Sequence, residues 1–173
     1  LCFTSYVIAV PKGNPAKIAS IEDLTRPGVR VAMALEASAP GGQAVMGILK
    51  AADISAKVLA NVRAQGSCVQ RSVADVTEGK ADAMIVERRI TRMTRFADHL
   101  EYVEIPERFF PAGPLTFTVG MMANAADPAK ATAYMDWITS AQGQAYFEAA
   151  GFIPAISPKG MELVEKLGVK DVA

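Results

Sequence analysis

The residues of this chain best suited to chemistry gather between Gly66 and Arg95. Gly66-Ser67-Cys68 precedes Val69-Gln70-Arg71, and Ser67 with Gln70 three residues on has the spacing of a capping box. A helix started there presents unspent backbone N–H groups and the positive end of its dipole, a combination that favours a small anion. Glu87 carries the opposite charge at the far end of the same unit. Beyond it, Arg88, Arg89, Arg92 and Arg95 place four positive charges within eight residues, and the first, third and fourth can share a helical face. Such a run is ordinarily a solvated face, with an anion site or a docking surface as the alternative.

Catalytic and metal chemistry find no comparable grouping. The single histidine sits in Asp98-His99-Leu100, which reads as surface, and no nucleophile has a recognisable base, so no catalytic residue, cofactor or enzyme activity is expected. Cys2 and Cys68 allow one disulfide at most and make no metal cluster with His99. Free thiols are expected, with Cys68 the reactive one because a helix N-terminus lowers a thiol pKa.

The elements that must position these groups follow from periodicity. Val69, Val73 and Val76 give one apolar helical face, Gly79 stops the helix, and Asp82 to Val86 is a short apolar run expected of a strand covered on both faces. In open α/β sheets ligands gather at the carboxyl ends of strands, so the helix start at Ser67 and the strand end at Glu87 can face one crevice. Upstream, Ser5 to Val10 and Val29 to Ala34 read as strands, and Ser20 to Leu24 as a capped turn. Glu36 to Gly42 is a loop running into a helix whose buried stripe is Val45, Ile48, Leu49 and Ala52. A short strand is expected between Lys57 and Arg63, and further strands at Leu100 to Ile105 and Leu115 to Met122. The pattern then changes to helices alone, opened by Asp127-Pro128, Ser140 and Ser157-Pro158, with no strand after them. Tyr134 and Trp137, at helical spacing, are expected in a core rather than stacked on a ligand.

Composition sets the outer limits. About half of the 173 residues are hydrophobic, which supports a real core. Eighteen basic residues balance eighteen acidic ones, so no global field would draw nucleic acid or an anionic membrane. No apolar run approaches the ~20 residues a membrane span needs. A chain beginning at Leu1 is expected to be processed or trimmed.

Several segments together carry a resemblance. Val7 to Pro15, followed by Ser20-Ile21-Glu22-Asp23-Leu24 and Pro27 to Ala32, resembles the crossover into the second lobe of periplasmic molybdate-binding proteins. The loop Ala39-Pro40-Gly41-Gly42, the unit from Val69 through Gly79-Lys80-Ala81-Asp82-Ala83-Met84-Ile85-Val86, and the close from Ser140-Ala141-Gln142-Gly143-Gln144 to Gly151-Phe152 are similar to motifs of the same family.

The resemblance implies a class II solute-binding protein of an ABC importer, periplasmic or otherwise extracytoplasmic, with a membrane permease and a small oxyanion, molybdate or tungstate, as its partners. The implied fold is α/β, a periplasmic-binding-protein-like lobe with a mixed sheet flanked by helices. Residues 1–118 would form the ligand-binding lobe, and residues 119–173 a helical segment belonging to a first lobe that is largely missing. Carried over by position, the ligand contacts would be Ser38, Ala39 and Pro40 at one turn and Ser67, Cys68 and Val69 at the helix start, with Glu87 beside them where many relatives have tyrosine. A metal cation, a small organic anion or a ligand-sensing regulatory domain are the alternatives, and nucleic acid is not expected. The C-terminal helices should leave an apolar surface around Tyr134, Trp137 and Ile138, either exposed or covered by a second copy in a homodimer.

Overall fold

Val7, Ile8, Ala9 and Val10 are all buried, and their strand lies in the middle of its sheet, as a continuous apolar run requires. The computed structural model describes residues 1–34, 41–110 and 116–167. In chain order the first elements are β1 (Cys2–Phe3), β2 (Tyr6–Pro11), a 3-10 turn (Ile21–Thr25), β3 (Val31–Met33), α1 (Gly41–Ala51), α2 (Ser55–Ala60) and β4 (Val62–Gln65). There follow α3 (Val69–Thr77), β5 (Met84–Glu87), α4 (Arg88–Thr91), α5 (Thr94–Ala97), β6 (Leu100–Glu104) and a second 3-10 turn (Glu107–Phe109). The last are β7 (Thr116–Phe117), α6 (Pro128–Thr139), α7 (Ala141–Ala149), β8 (Ile153–Pro154) and α8 (Pro158–Leu167).

The chain separates into two compact units, Tyr6–Ala112 and Leu1–Ser5 with Gly113–Ala173. The expected lobe of residues 1–118 and the larger unit share most of their length. The first five residues cluster with the C-terminal part because β1 pairs antiparallel with both β7 and β8.

The larger unit is the α/β body. β2 runs antiparallel to β5 on one side and β6 on the other, while β3 and β4 pair in parallel. A parallel bridge between Val31 and Ala83, with the Ala32 amide donating to the Ala83 carbonyl at 2.9 Å, joins the two ladders into the order β6-β2-β5-β3-β4. α3 covers one face with Val73 and Val76, both fully buried, against Val7, Ala32 and Val86. Gly79, at φ +73°, closes α3 in the left-handed conformation that a side chain would disfavour.

Four expectations change. The stretch expected to be a strand between Lys57 and Arg63 is instead mostly α2, because Ile54 and Val58, four residues apart, both reach the core, and the strand begins only at Val62. The expected strand from Leu115 to Met122 is, among the described residues, only Thr116–Phe117, and Met121 and Met122 are exposed. A two-residue strand, β8, follows α7 where helices alone were expected; its partner is β1, which no local pattern announces. Tyr134 and Trp137 are not core residues: they are 55% and 43% exposed and stack in a run with Tyr146, while Ile138 is buried.

Candidate functional site

Strand direction decides which groups meet. β3, β4 and β5 run parallel and β2 runs against them, so the carboxyl ends of three strands and the start of β2 share one edge of the sheet. Ala34 after β3, Gly66 after β4, Glu87 ending β5 and Tyr6 opening β2 therefore converge. A cleft of about 50 Å³ lies there, with Tyr6, Val45, Val69, Glu87 and Arg89 among its lining residues. That volume admits a few waters or one small ion, not a peptide.

One wall is the start of α3. Cys68, not Ser67, occupies the cap position, so the helix begins one residue later than the expected capping box, and neither Ser67 nor Gln70 closes a capping bond. The first helical bond runs from the Ser72 amide to the Cys68 carbonyl at 3.1 Å, which leaves the amides of Val69, Gln70 and Arg71 outside the helix's own ladder. Cys68 is exposed and free, and the Arg71 and Gln70 amides, with desolvation opposing and Arg95 assisting, hold its thiol below the ordinary range. Gly66 fits a close approach: a Cβ there would lie 2.6 Å from the buried Ser72 hydroxyl, which would have to turn aside. The Gly66 amide donates to the Met33 carbonyl at 3.1 Å, tying the loop after β4 to the end of β3.

The opposite wall is Tyr6, Glu87 and Arg89. Tyr6 and Glu87 are register partners across β2 and β5. Burial first and then the Glu87 charge push the Tyr6 hydroxyl up to about 12, so it stays protonated and able to donate. Glu87 accepts a hydrogen bond from Arg89 Nε in an ion pair whose side chains are 18% and 37% exposed. The other arginines turn elsewhere. Arg88 lies over the Tyr102 ring and donates to its hydroxyl at 3.3 Å, while Arg95 covers Phe96 and donates to Gln70 at 3.1 Å. The expected helical face shared by Arg88, Arg92 and Arg95 does not form, because the segment breaks into the two single turns α4 and α5.

Of the residues expected to bind, Val69 and Glu87 line the cleft, and Ser67 and Cys68 are exposed beside Val69. Ser38, Ala39 and Pro40 lie outside the described residues. Tyr6 was not anticipated, and nothing local marks it: only the register of β2 against β5 brings it to Glu87. Among the described residues no three of His, Cys, Asp and Glu come together as a metal site, and no helix is long and apolar enough to cross a membrane. Both cysteines are free, and burial pushes the Cys2 thiol up to about 11.

Comparison with known proteins gives a consistent picture. The family model for bacterial extracellular solute-binding proteins matches residues 1–153. The molybdate-binding protein ModA of Mycobacterium bovis is 30% identical over 151 residues, which is 84% of this chain and 52% of that protein. The chain thus spans about half the length of the curated relatives it matches. Among solved structures, the substrate binding domain of a Clostridium difficile protein assigned to a molybdenum ABC transporter aligns with a TM-score of 0.71 at 20% identity. The alignment covers 88% of this chain and 64% of that one. The sulfate-binding protein SubI of Mycobacterium tuberculosis aligns with a TM-score of 0.66 at 17% identity, over 96% of this chain and 62% of its own. At these identities the solved structures speak for the fold, which is that of periplasmic binding proteins, with a mixed sheet flanked by helices.

Proposed function

The chain belongs to the family of bacterial extracellular solute-binding proteins, and from that premise we propose that it contributes to binding a tetrahedral oxyanion, molybdate or tungstate, for delivery to the membrane permease of an ABC importer. The observation that carries the proposal is the sheet edge itself: the carboxyl ends of β3 and β5 and the start of α3, where the Val69 amide stands outside the helix's own ladder, meet at a cleft the size of a small ion. Oriented amides hold a dianion by sharing its charge among several dipoles. The contacts in this reading are the amides of Ser67, Cys68 and Val69 and the Ser67 hydroxyl, with Ser38, Ala39 and Pro40 added as the family resemblance implies and the protonated Tyr6 hydroxyl at the same cleft. Family membership also supports an extracytoplasmic location.

A ligand that binds only the folded state raises its stability by mass action, about 2.7 kcal/mol at a hundredfold excess over Kd. Thermal-shift and calorimetric titration with molybdate, tungstate, sulfate and phosphate should therefore give an upward melting shift with at least one of the first two. A protein that responds to none of the four would overturn the proposal. A second reading, a small organic anion, draws on the apolar part of the cleft, where Met33, Val45, Met84 and Ile85 offer no donor to an inorganic ion. A shift with short carboxylates but not with molybdate or tungstate would select it.

A further inference from the structure

Glu87 stands in a cleft that the reading above gives to an anion, and a bare carboxylate about 4 Å from an anion would cost it roughly a thousandfold in affinity at an effective dielectric near 20. The geometry removes that penalty and does more. Arg89 lies two residues further on, in the first turn after β5, and gives its Nε–H to the Glu87 carboxylate. A guanidinium has five donors arranged as a planar fork, and only the Nε side is engaged. The two terminal nitrogens of Arg89 have no partner among the described residues, although Arg89 lines the cleft and is about one-third exposed. Arg88 and Arg95 contrast with it, since each has one terminal nitrogen bound to a side chain of the fold and its guanidinium laid on a ring. Among these three, only Arg89 keeps both terminal nitrogens without a partner among the described residues while lining the cleft.

We infer that Arg89 is a specificity-determining contact for the ligand, offering its terminal nitrogens as a two-pronged donor to an anion with two oxygens on one edge, and that Glu87 is the positioning residue that holds the fork in the cleft. The inference rests on the oxyanion reading of the cleft and adds to it the group that sets ligand shape and charge. A fork suits tetrahedral oxyanions and carboxylates and gives little to a single-atom anion such as chloride. Tethering through Nε fixes the guanidinium plane before the ligand arrives, so less side-chain freedom is lost on binding.

Calorimetry with molybdate, sulfate and phosphate on the parent chain and five variants tests this, with circular dichroism and melting curves run on each protein to establish its fold. Arg89→Ala should weaken binding of the preferred ion roughly tenfold to a hundredfold, the range for losing hydrogen bonds to a charged group. Arg89→Lys, which keeps the charge and loses the fork, should recover only part of it. The double variant Glu87→Gln/Arg89→Ala is decisive, because it removes the repelling carboxylate together with the arginine. Persistent weakness there supports direct contact, whereas a return to parent affinity means that Arg89 merely neutralised Glu87 and overturns the inference. Glu87→Gln keeps an acceptor for Nε and should bind as the parent does or somewhat tighter. Glu87→Ala removes the tether and should bind more weakly; tighter binding in both Glu87 variants would show simple repulsion and sink the positioning role. A folded parent that binds none of the three ions overturns the oxyanion reading, and this inference with it, an outcome distinct from recovery in the double variant.

Discussion

The register that brings β3 and β5 to a common edge is pinned at the opposite end by Asp82, and its removal gives a quantitative test. Asp82 accepts from the Arg30 backbone amide at 2.8 Å, from its Nε at 3.2 Å and from a terminal guanidinium nitrogen at 2.6 Å. Hydrogen bonds to charged groups contribute about 1.5–3 kcal/mol each when enclosed. Here the Arg30 side chain is 45% exposed and that of Asp82 15%, so water and salt screen much of the interaction. Asp82→Ala should then cost about 1–2 kcal/mol at neutral pH, or roughly 2–8 °C in melting temperature for a chain of this size. The same argument dictates a pH dependence. Hydrogen bonding to the Arg30 side chain holds the Asp82 carboxyl below its ordinary range. A carboxyl depressed on folding contributes its stability in full above the unfolded-state pKa of about 3.9 and loses it as pH falls through the lower folded-state value. Parent and variant melting temperatures, measured from pH 7 downward, should differ most at neutral pH and converge in acid. A difference that is absent at pH 7, or that persists unchanged at pH 2, would refute the assignment.

Three further outcomes follow from packing and thiol chemistry. Gly143→Ala improves intrinsic helix propensity by about 1 kcal/mol, yet its Cβ would fall 2.3 Å from the Trp137 carbonyl oxygen and 2.7 Å from Ile138 Cα. Overpacking of about 1–3 kcal/mol should win, lowering the denaturation midpoint, and a more stable variant would show that the α6–α7 corner relaxes freely. Asn61 donates at 2.9 Å to both the Leu24 and Arg26 carbonyls. Asn61→Ala strands these acceptors and should cost about 1–3 kcal/mol in urea unfolding, an expectation undone by unchanged stability. With a thiol-alkylating reagent at neutral pH, Cys68 should react well before Cys2, since the first is exposed with a lowered pKa and the second is buried with a raised one. Peptide mapping that finds Cys2 modified first would contradict this, and slower Cys68 labelling in molybdate would agree with an anion seated on α3.

Local patterns made several elements legible without any fold. Val69, Val73 and Val76 at helical spacing, Gly79 at the left-handed stop and the apolar run before Glu87 announced α3 and β5. Asp127-Pro128, Ser140 and Ser157-Pro158 announced the three C-terminal helices. Each signal spans a few residues and is enforced by nearest-neighbour sterics and hydrogen bonds, so it survives in sequence. The motifs that resemble solute-binding proteins are local in the same sense, and the family match over residues 1–153 agrees with them.

Other features had no local carrier. The two-residue strands β1, β7 and β8 exist only because they meet one another, and α2 displaced an expected strand because Ile54 and Val58 found a core to enter. Four arginines within eight residues look alike in sequence, yet one lies over Tyr102, another over Phe96, and Arg89 faces the cleft beside Glu87. Tyr6 is 81 residues from Glu87 in the chain and opposite it in the sheet. Sequence alone determined the α3–β5 unit, the central strand β2, the three C-terminal helices and the helix start that could offer amides to an anion. Only the tertiary structure decided which side chains meet there, because strand register and side-chain direction are set by burial summed over the whole sheet, and a slip of one residue would turn every group to the opposite face.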